Sequence, residues 1–270
     1  MFKINKMKLS IVTVATGKYL EYWIKLAESV CKYSEYDVNL NYHIFTDRVN
    51  DAMDFADTIN LKIVVHKIDS QDWLSGTLMR YKHYRKYFEL ITGDVILHLD
   101  ADMVVVDNFI DDLFNTIANN SDRINLIYHP GFWRQKKFYL PYLFNHETYR
   151  SEIIVLWKYM LGKSLGSWET RFDSSAYTPE DLQNAYFCGA VWFGTKDVVY
   201  KFISEVDELI IEDQKNGIIA VWHDESYLNK WAANNMHSGI APKYCFLLGK
   251  AHLSNLKPLI VAVDKEENSY

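Results

Sequence analysis

Short apolar runs rich in β-branched residues alternate, over the first hundred positions, with segments whose apolar residues recur every three or four places. Lys8 to Ala15 (KLSIVTVA) is the first run, closed by Thr16-Gly17. Leu20, Trp23, Ile24, Ala27, Val30 and Cys31 follow at helical spacing. Further strands are predicted at Val38 to Phe45, Leu61 to Ile68 and Asp94 to Leu99, with a helix from about Thr77 to Ile91. This alternation predicts an α/β unit with a mostly parallel sheet, in which ligands bind beyond the carboxyl ends of the strands. Three polar clusters fall at such ends: Thr16-Gly17, Thr46-Asp47 and Asp100-Ala101-Asp102.

The second half continues the pattern less regularly. Phe109, Ile110, Leu113, Phe114 and Ile117 form an amphipathic stripe, and Ile124 to Tyr128 reads as a strand ending in His129-Pro130-Gly131. Arg134 to Ser167 is aromatic, basic and partly helical. A strand near Ala185 to Phe193 precedes a helix from about Asp197 to Asp213. A last helix carries Tyr227, Leu228 and Trp231 on one face and closes at Asn234-Asn235. Neither repeat nor Pro/Gly-rich linker divides the chain. The expectation is one domain of two halves, about 1–120 and about 121–270, with an insertion near 134–167.

Composition narrows the function. Apolar residues make up 49% and aromatics 15% of the 270 residues, enough for a full core and a ring-lined cleft. A formal net charge of -6 argues against a nucleic-acid partner, which needs a basic face. The basic run Arg80, Lys82, Arg85 and Lys86 reads as a solvated helix face. Cys31, Cys188 and Cys245 lie far apart in no metal or disulfide framework, which predicts a reducing compartment. With no signal-peptide core, and no stretch near the ~20 apolar residues that span a bilayer, the chain reads as soluble and cytoplasmic, without a transmembrane segment.

Two constellations carry chemistry. Asp100 and Asp102, two residues apart at a strand end, suit one hard divalent cation with positions left for diphosphate oxygens. The same spacing also serves ordinary turns, and Glu205-Val206-Asp207 repeats it within a helical pattern that reads as surface. Trp222-His223-Asp224-Glu225 places an indole, an imidazole and two acids at the mouth of a helix. Asp224 is the natural N-cap candidate, which sets Glu225 in the first turn, where the helix dipole favours its ionised form. The plain alternative is a helix start with Trp222 in the core.

Together these pieces resemble glycosyltransferase family 6, the retaining enzymes that include the histo-blood-group A and B transferases and the α-1,3-galactosyltransferases. Asn216-Gly217-Ile218-Ile219-Ala220-Val221-Trp222-His223-Asp224-Glu225-Ser226-Tyr227-Leu228-Asn229-Lys230 tracks the family's N-G-I-E-A-V-W-H-D-E-S-H-L-N-K block almost letter for letter. Val14 to Tyr19, Phe45-Thr46-Asp47, Asp100-Ala101-Asp102, His129 to Phe132, Ser175-Ala176-Tyr177 and Pro242-x-Tyr244 match in the same order.

The resemblance implies a glycosyltransferase-A type fold, a Rossmann-like nucleotide-binding half fused to an acceptor-binding half. The activity it implies is retaining transfer of galactose or N-acetylgalactosamine from UDP-galactose or UDP-N-acetylgalactosamine, in α-1,3 linkage to a galactoside-type acceptor, with manganese or, as substitute, magnesium. A soluble member of bacterial or phage type fits this chain.

By the same resemblance Val14, Ala15, Thr16 and Tyr19 hold the uridine, and Arg80 contacts the donor sugar. Asp100, Ala101 and Asp102 bind metal and diphosphate, Asp100 and Asp102 being the metal ligands. Cys188-Gly189-Ala190 fills the donor-selection slot, and Asp224 lies on the donor sugar. Lys265 closes over the diphosphate. His129, Ser167 and Trp222 face the acceptor, and Glu225 is the catalytic carboxylate. Three departures stand out. The stretch between Trp133 and Trp168 is longer than the family pattern, Pro242-Lys243-Tyr244-Cys245-Phe246-Leu247 lacks the family's acceptor-side acid, and no tail arginine precedes Tyr270. Two rival classes are a metal-dependent phosphoesterase using Asp100 and Asp102, which leaves the Trp222 block unexplained, and a catalytically silent carbohydrate-binding protein, against which the intact Asp100, Asp102 and Glu225 count.

Overall fold

A computed structural model describes residues 7–34, 39–134, 153–155, 157, 158, 161 and 163–263. Lys265 and most of the 134–167 segment lie outside the described residues. The nucleotide-side order is β1 (Leu9–Val14), α1 (Tyr19–Tyr33), β2 (Leu40–Thr46), α2 (Val49–Thr58), β3 (Ile63–Lys67), α3 (Trp73–Lys86), β4 (Val95–Leu99), β5 (Met103–Val105) and α4 (Ile110–Asn119). After it come β6 (Ile124–Tyr128), β7 (Phe187–Thr195), α5 (Lys196–Lys215), α6 (His223–Asn234), β8 (His237–Ile240) and β9 (Ile260–Ala262). Seven strands form one sheet in the order β3-β2-β1-β4-β7-β6-β8. β7 runs antiparallel to both its neighbours, and the other pairings in this sheet are parallel.

Strands buried on both faces explain the unbroken apolar runs. Every residue of β4 is buried, because a core lies on each side of the sheet. One core gathers Trp23, Tyr42, Leu97 and Phe193; the other gathers Tyr81, Trp192, Phe202 and Leu228. Helix α1 supplies Leu20, Trp23, Leu26, Ala27 and Val30 to the first, as its periodicity predicts.

Several elements differ from expectation. Helix α3 begins at Trp73 because the Asp72 carboxylate accepts the Ser75 amide at 2.7 Å, an N-cap that extends the helix one turn before Thr77. It ends at Lys86, ahead of a short 3-10 turn at Phe88–Leu90. Helix α2 buries only Ala52 and Ala56 and so presents no apolar stripe to read. The basic run is not a solvated face throughout: Arg80 is buried, and Arg85 pairs with a buried Asp207 at 3.3 Å. Glu205-Val206-Asp207 is therefore tied into the helix packing, with Glu205 accepting the Trp231 indole N–H at 2.6 Å.

Two contacts set the site. Asp100 follows β4, and its amide donates to Ala190 O of β7 at 2.9 Å, so the Asp100–Asp102 triplet lies beside Cys188-Gly189-Ala190. The pairing of β7 with β6 is irregular between Leu126 and Tyr128, and such irregularities often flank active sites. The three-residue strand β9 pairs with β5, and the Val263 amide donates to Asp102 O at 2.9 Å, which returns the C-terminal segment to the triplet. No helix among the described residues is long and apolar enough to cross a membrane.

Candidate active site

A cleft of about 450 Å³, open on one side, lies beyond the carboxyl ends of β1 and β4. Val14, Thr16 and Tyr19 line it from the β1–α1 turn, Asp72, Gly76, Thr77 and Arg80 from α3, and Asp100, Ala101 and Asp102 from the turn after β4. The turn at Gly17 has φ +52°, a left-handed conformation open to glycine without Cβ strain. Its amide donates to Asp47 at 2.9 Å, while the Thr16 hydroxyl donates to Gln71 O at 3.1 Å. Thr46-Asp47 thus shapes the turn rather than the cleft wall. Ala15 is fully buried, its amide bonded to Phe45 O, and does not line the cleft. Asp72, Gly76 and Thr77 join the lining because the α3 cap carries the helix start into the cleft.

Arg80 joins the two carboxylate clusters. Its Nη1 donates to Asp100 Oδ1 at 2.6 Å and to Gly189 O at 3.4 Å, and its Nε lies 3.5 Å from Asp224 Oδ2. Burial alone would weaken the guanidinium charge, but Asp100 and Asp224 outweigh it and hold Arg80 above its ordinary range. His98 sits behind, 2.9 Å from Arg80 Nη1, with its other nitrogen 3.0 Å from the Tyr84 hydroxyl. Burial lowers the His98 pKa, which favours a neutral ring here.

Asp224 and Glu225 open α6, but the N-cap is Trp222, whose amide donates to Ser226 Oγ at 3.0 Å. Asp224 lies two residues inside the cap position expected for it, buried against Arg80. His223, between cap and acids, holds φ +51°, a strain on the order of 1 kcal/mol for a side chain with a Cβ. Glu225 Oε2 accepts the Gly189 amide at 2.9 Å. Burial, not the helix dipole, dominates its charge state. Desolvation pushes Glu225 up to about 8, aided by the neighbouring Asp224 charge and opposed by the Gly189 amide and Tyr186. Asp224 is likewise pushed by burial to about 6, with Arg80 pulling it down. Burial thus favours the protonated form of Glu225, against the ionised form expected from the helix dipole.

The expected acceptor residues surround these acids. The buried Tyr186 hydroxyl faces Glu225 and donates to Ser167 O at 3.1 Å. Tyr186 packs edge-on to Trp168, Phe132 and His129, and burial lowers His129 to about 4, so its ring is neutral. Trp222 is half-exposed rather than in the core. Tyr186 was hidden in the sequence by the strand pattern of Ala185 to Phe193. Cys188 is buried in the core, its thiol against Cys245, while Gly189 backs directly onto the acid pair.

Among the described residues no three His, Cys, Asp or Glu side chains converge as a metal site. Asp100 and Asp102 offer two hard carboxylates at the cleft, a donor set that fits magnesium or manganese when substrate phosphates and water complete the shell.

Residues 151–270 match the model of glycosyltransferase family 6. The chain is similar to histo-blood group ABO system transferase 1 of Rattus norvegicus, 25% identical over 240 residues, covering 85% of this chain and 58% of that protein. It is similar to the O-antigen biosynthesis glycosyltransferase WbnI of Escherichia coli, 24% identical over 265 residues, covering 98% of this chain and 97% of that one. A third relative is globoside alpha-1,3-N-acetylgalactosaminyltransferase 1 of Gallus gallus, 24% identical over 246 residues, covering 88% and 61%. The chain thus spans 58% to 60% of the length of the two rat transferases it resembles.

Proposed function

We propose that the chain, whose residues 151–270 match the model of glycosyltransferase family 6, is a member of that family with its glycosyltransferase-A type fold, and a retaining, metal-dependent glycosyltransferase. It moves galactose or N-acetylgalactosamine from a UDP-sugar, in α-1,3 linkage, to a galactoside-type acceptor. The observation that carries the proposal is the bridge made by Arg80: one guanidinium spans Asp100 at the diphosphate end and Asp224 beside Glu225 at the sugar end. Val14, Thr16 and Tyr19 receive the uridine, and the buried Ala15 supports them from behind.

When bound, a divalent cation neutralises the diphosphate and eases its departure. Glu225, ionised, faces the anomeric carbon and stabilises the positive charge that develops there. Asp224, Gly189 and Ala190 border the donor sugar, and Lys265 is assigned to the diphosphate. His129, Ser167 and Trp222 hold the acceptor. The deciding experiment incubates the protein with manganese, a UDP-sugar panel and simple galactosides. It assays UDP release and the anomeric configuration of the product. Absence of UDP release from every donor, with or without acceptor, overturns the proposal.

Donor choice rests mainly on Ala190. The buried Cys188 thiol is turned away from the cleft, so one methyl does most of the discrimination, worth about 1–3 kcal/mol. Galactose is the expected preference. Competition between the two donors measures it, and a preference above tenfold for N-acetylgalactosamine refutes it.

Gly189 gives a sharper test of the acid pair. A Cβ there sits 3.2 Å from Asp224 Oδ2, so the Asp224 carboxylate must yield by a few tenths of an ångström, while Glu225 Cβ at 3.6 Å is in ordinary contact. Gly189→Ala is expected to lower turnover about tenfold without unfolding the protein, since angstrom-scale misplacement costs about a hundredfold. Wild-type kcat in a folded Gly189→Ala protein contradicts this placement.

A further inference from the structure

The stretch leading into the catalytic turn is held in an unusual way. Ile219, Val221 and Trp222 are all about half-exposed, so apolar burial does little to order it; Ala220 is its one buried side chain. Its main-chain groups are instead gripped by a buried carboxylate. Glu169, 2% exposed, accepts the Val221 amide at Oε2 (2.9 Å) and the Arg171 guanidinium at both oxygens (2.6 and 3.0 Å). It also accepts the Arg171 amide at 2.9 Å, so both oxygens are saturated. Arg171 then donates to Ile219 O at 2.6 Å. From this grip the chain passes directly to the Trp222 cap, the left-handed His223 and Glu225, whose own amide is bonded to Trp222 O at 3.1 Å.

We propose that the Glu169–Arg171 clamp is a positioning device for Glu225 and Trp222: it fixes the peptide groups of Ile219 and Val221 and thereby holds the strained His223 turn that aims the catalytic carboxylate. The inference rests on the proposed transferase reading for its catalytic consequence. The clamp itself stands on geometry alone. Charge-assisted hydrogen bonds at this spacing are the strong class, and the bound Arg171 and amides hold Glu169 down to about 2, ionised at every working pH. The carboxylate touches neither the cleft lining nor Glu225, so it acts through the backbone.

Two variants and two readouts test this. In Glu169→Gln one acceptor oxygen becomes a donor and must release Val221 or Arg171. In Arg171→Met, at a half-exposed site, the grip on Ile219 is lost while Glu169 keeps the Arg171 and Val221 amides. Both are expected to speed amide hydrogen exchange across residues 219–226 at least tenfold while strands β1 and β4 keep wild-type protection. Both are also expected to lower kcat about 10- to 100-fold, with donor KM within about threefold of wild type because the nucleotide cleft is untouched. Arg171→Lys, which keeps one charged donor, is expected to recover part of the rate.

Unchanged exchange at 219–226 overturns the clamp whatever the activity. Faster exchange with kcat within about threefold of wild type overturns its positioning role. If Glu169→Gln does not fold, Arg171→Met decides by the same two criteria. A wild-type protein that turns over no UDP-sugar refutes the proposed function, while the exchange measurement still judges the clamp.

Discussion

Glu225→Gln is expected to reduce transfer by about two to three orders of magnitude while making the ligand-free protein more stable. The two effects share one cause. The buried carboxylate is pushed up from an ordinary 4.5 to about 8 by desolvation. A group that binds its proton more tightly folded than unfolded gives its full stability below the unfolded value and loses it as pH rises through the folded one. Glu225 therefore costs stability progressively from about pH 4.5 to about pH 8, on the order of a few kcal/mol at the upper end. Glutamine keeps the shape and the Gly189 contact while escaping that cost. It cannot supply the negative charge that the oxocarbenium-like transition state needs, and an electrostatic term of this kind is worth about 3–4 kcal/mol or more. The measurements are kcat with saturating donor and acceptor, and thermal midpoints without ligands at pH 6 and pH 8.5. The stability gain should be larger at pH 8.5. A variant retaining over a tenth of the wild-type rate removes Glu225 from the catalytic role, with Asp224 the next candidate; a variant less stable at both pH values contradicts the burial argument. Azide rescue of Glu225→Ala to an inverted glycosyl azide would assign it as nucleophile rather than charge stabiliser.

The sequence was legible where one period dominated. β1, β4 and β6 lie within a residue of their expected limits because each is an uninterrupted apolar run bounded by turn residues. Helix α2 was not legible: two alanines make a buried face too slight to stand out from Asp51, Asp54 and Asp57. β5 and β9 are three residues each, and their pairing joins positions more than 150 apart, which no local pattern encodes. At the site, Asp100, Asp102 and Glu225 were found through the motifs that carry them. Their electrostatics were not, because charge state depends on burial that only the assembled sheet creates. The helix-dipole argument for an ionised Glu225 placed it correctly in the first turn and missed the desolvation of the walls. Arg80 reads as surface by its basic neighbours, yet it is buried in the cleft wall, because α3 turns that face onto Asp100. Glu169 and Arg171 carried no visible signal, since a carboxylate saturated by backbone amides looks like any polar pair in a loop.

Metal dependence is expected to be complete and to be linked to the nucleotide. Asp100 and Asp102 are the two carboxylates that the turn after β4 brings to the cleft, and one oxygen of Asp100 is already engaged by Arg80 at 2.6 Å. Two such ligands form a poor cage for a dication by themselves, and the coordination shell fills only when diphosphate oxygens arrive. Manganese should therefore bind weakly to the protein alone and at least tenfold more tightly with UDP present. Linkage then requires manganese to tighten UDP binding by the same factor. Asp102→Ala removes half of the carboxylate set from the side of the triplet that Arg80 does not bridge. It should abolish the mutual enhancement and lower turnover a hundredfold or more, the equivalent of about 2.7 kcal/mol. The fold should persist, because the contact that ties Asp102 to Val263 is through its main-chain oxygen. Calorimetric titration of manganese with and without UDP, on wild type and Asp102→Ala, reads the coupling directly, and an assay in excess chelator reads the requirement. Full activity in chelator, or equal manganese affinity with and without UDP, contradicts a cation shared between this triplet and the diphosphate. The triplet would then serve as a turn, with Asp100 as a partner of Arg80.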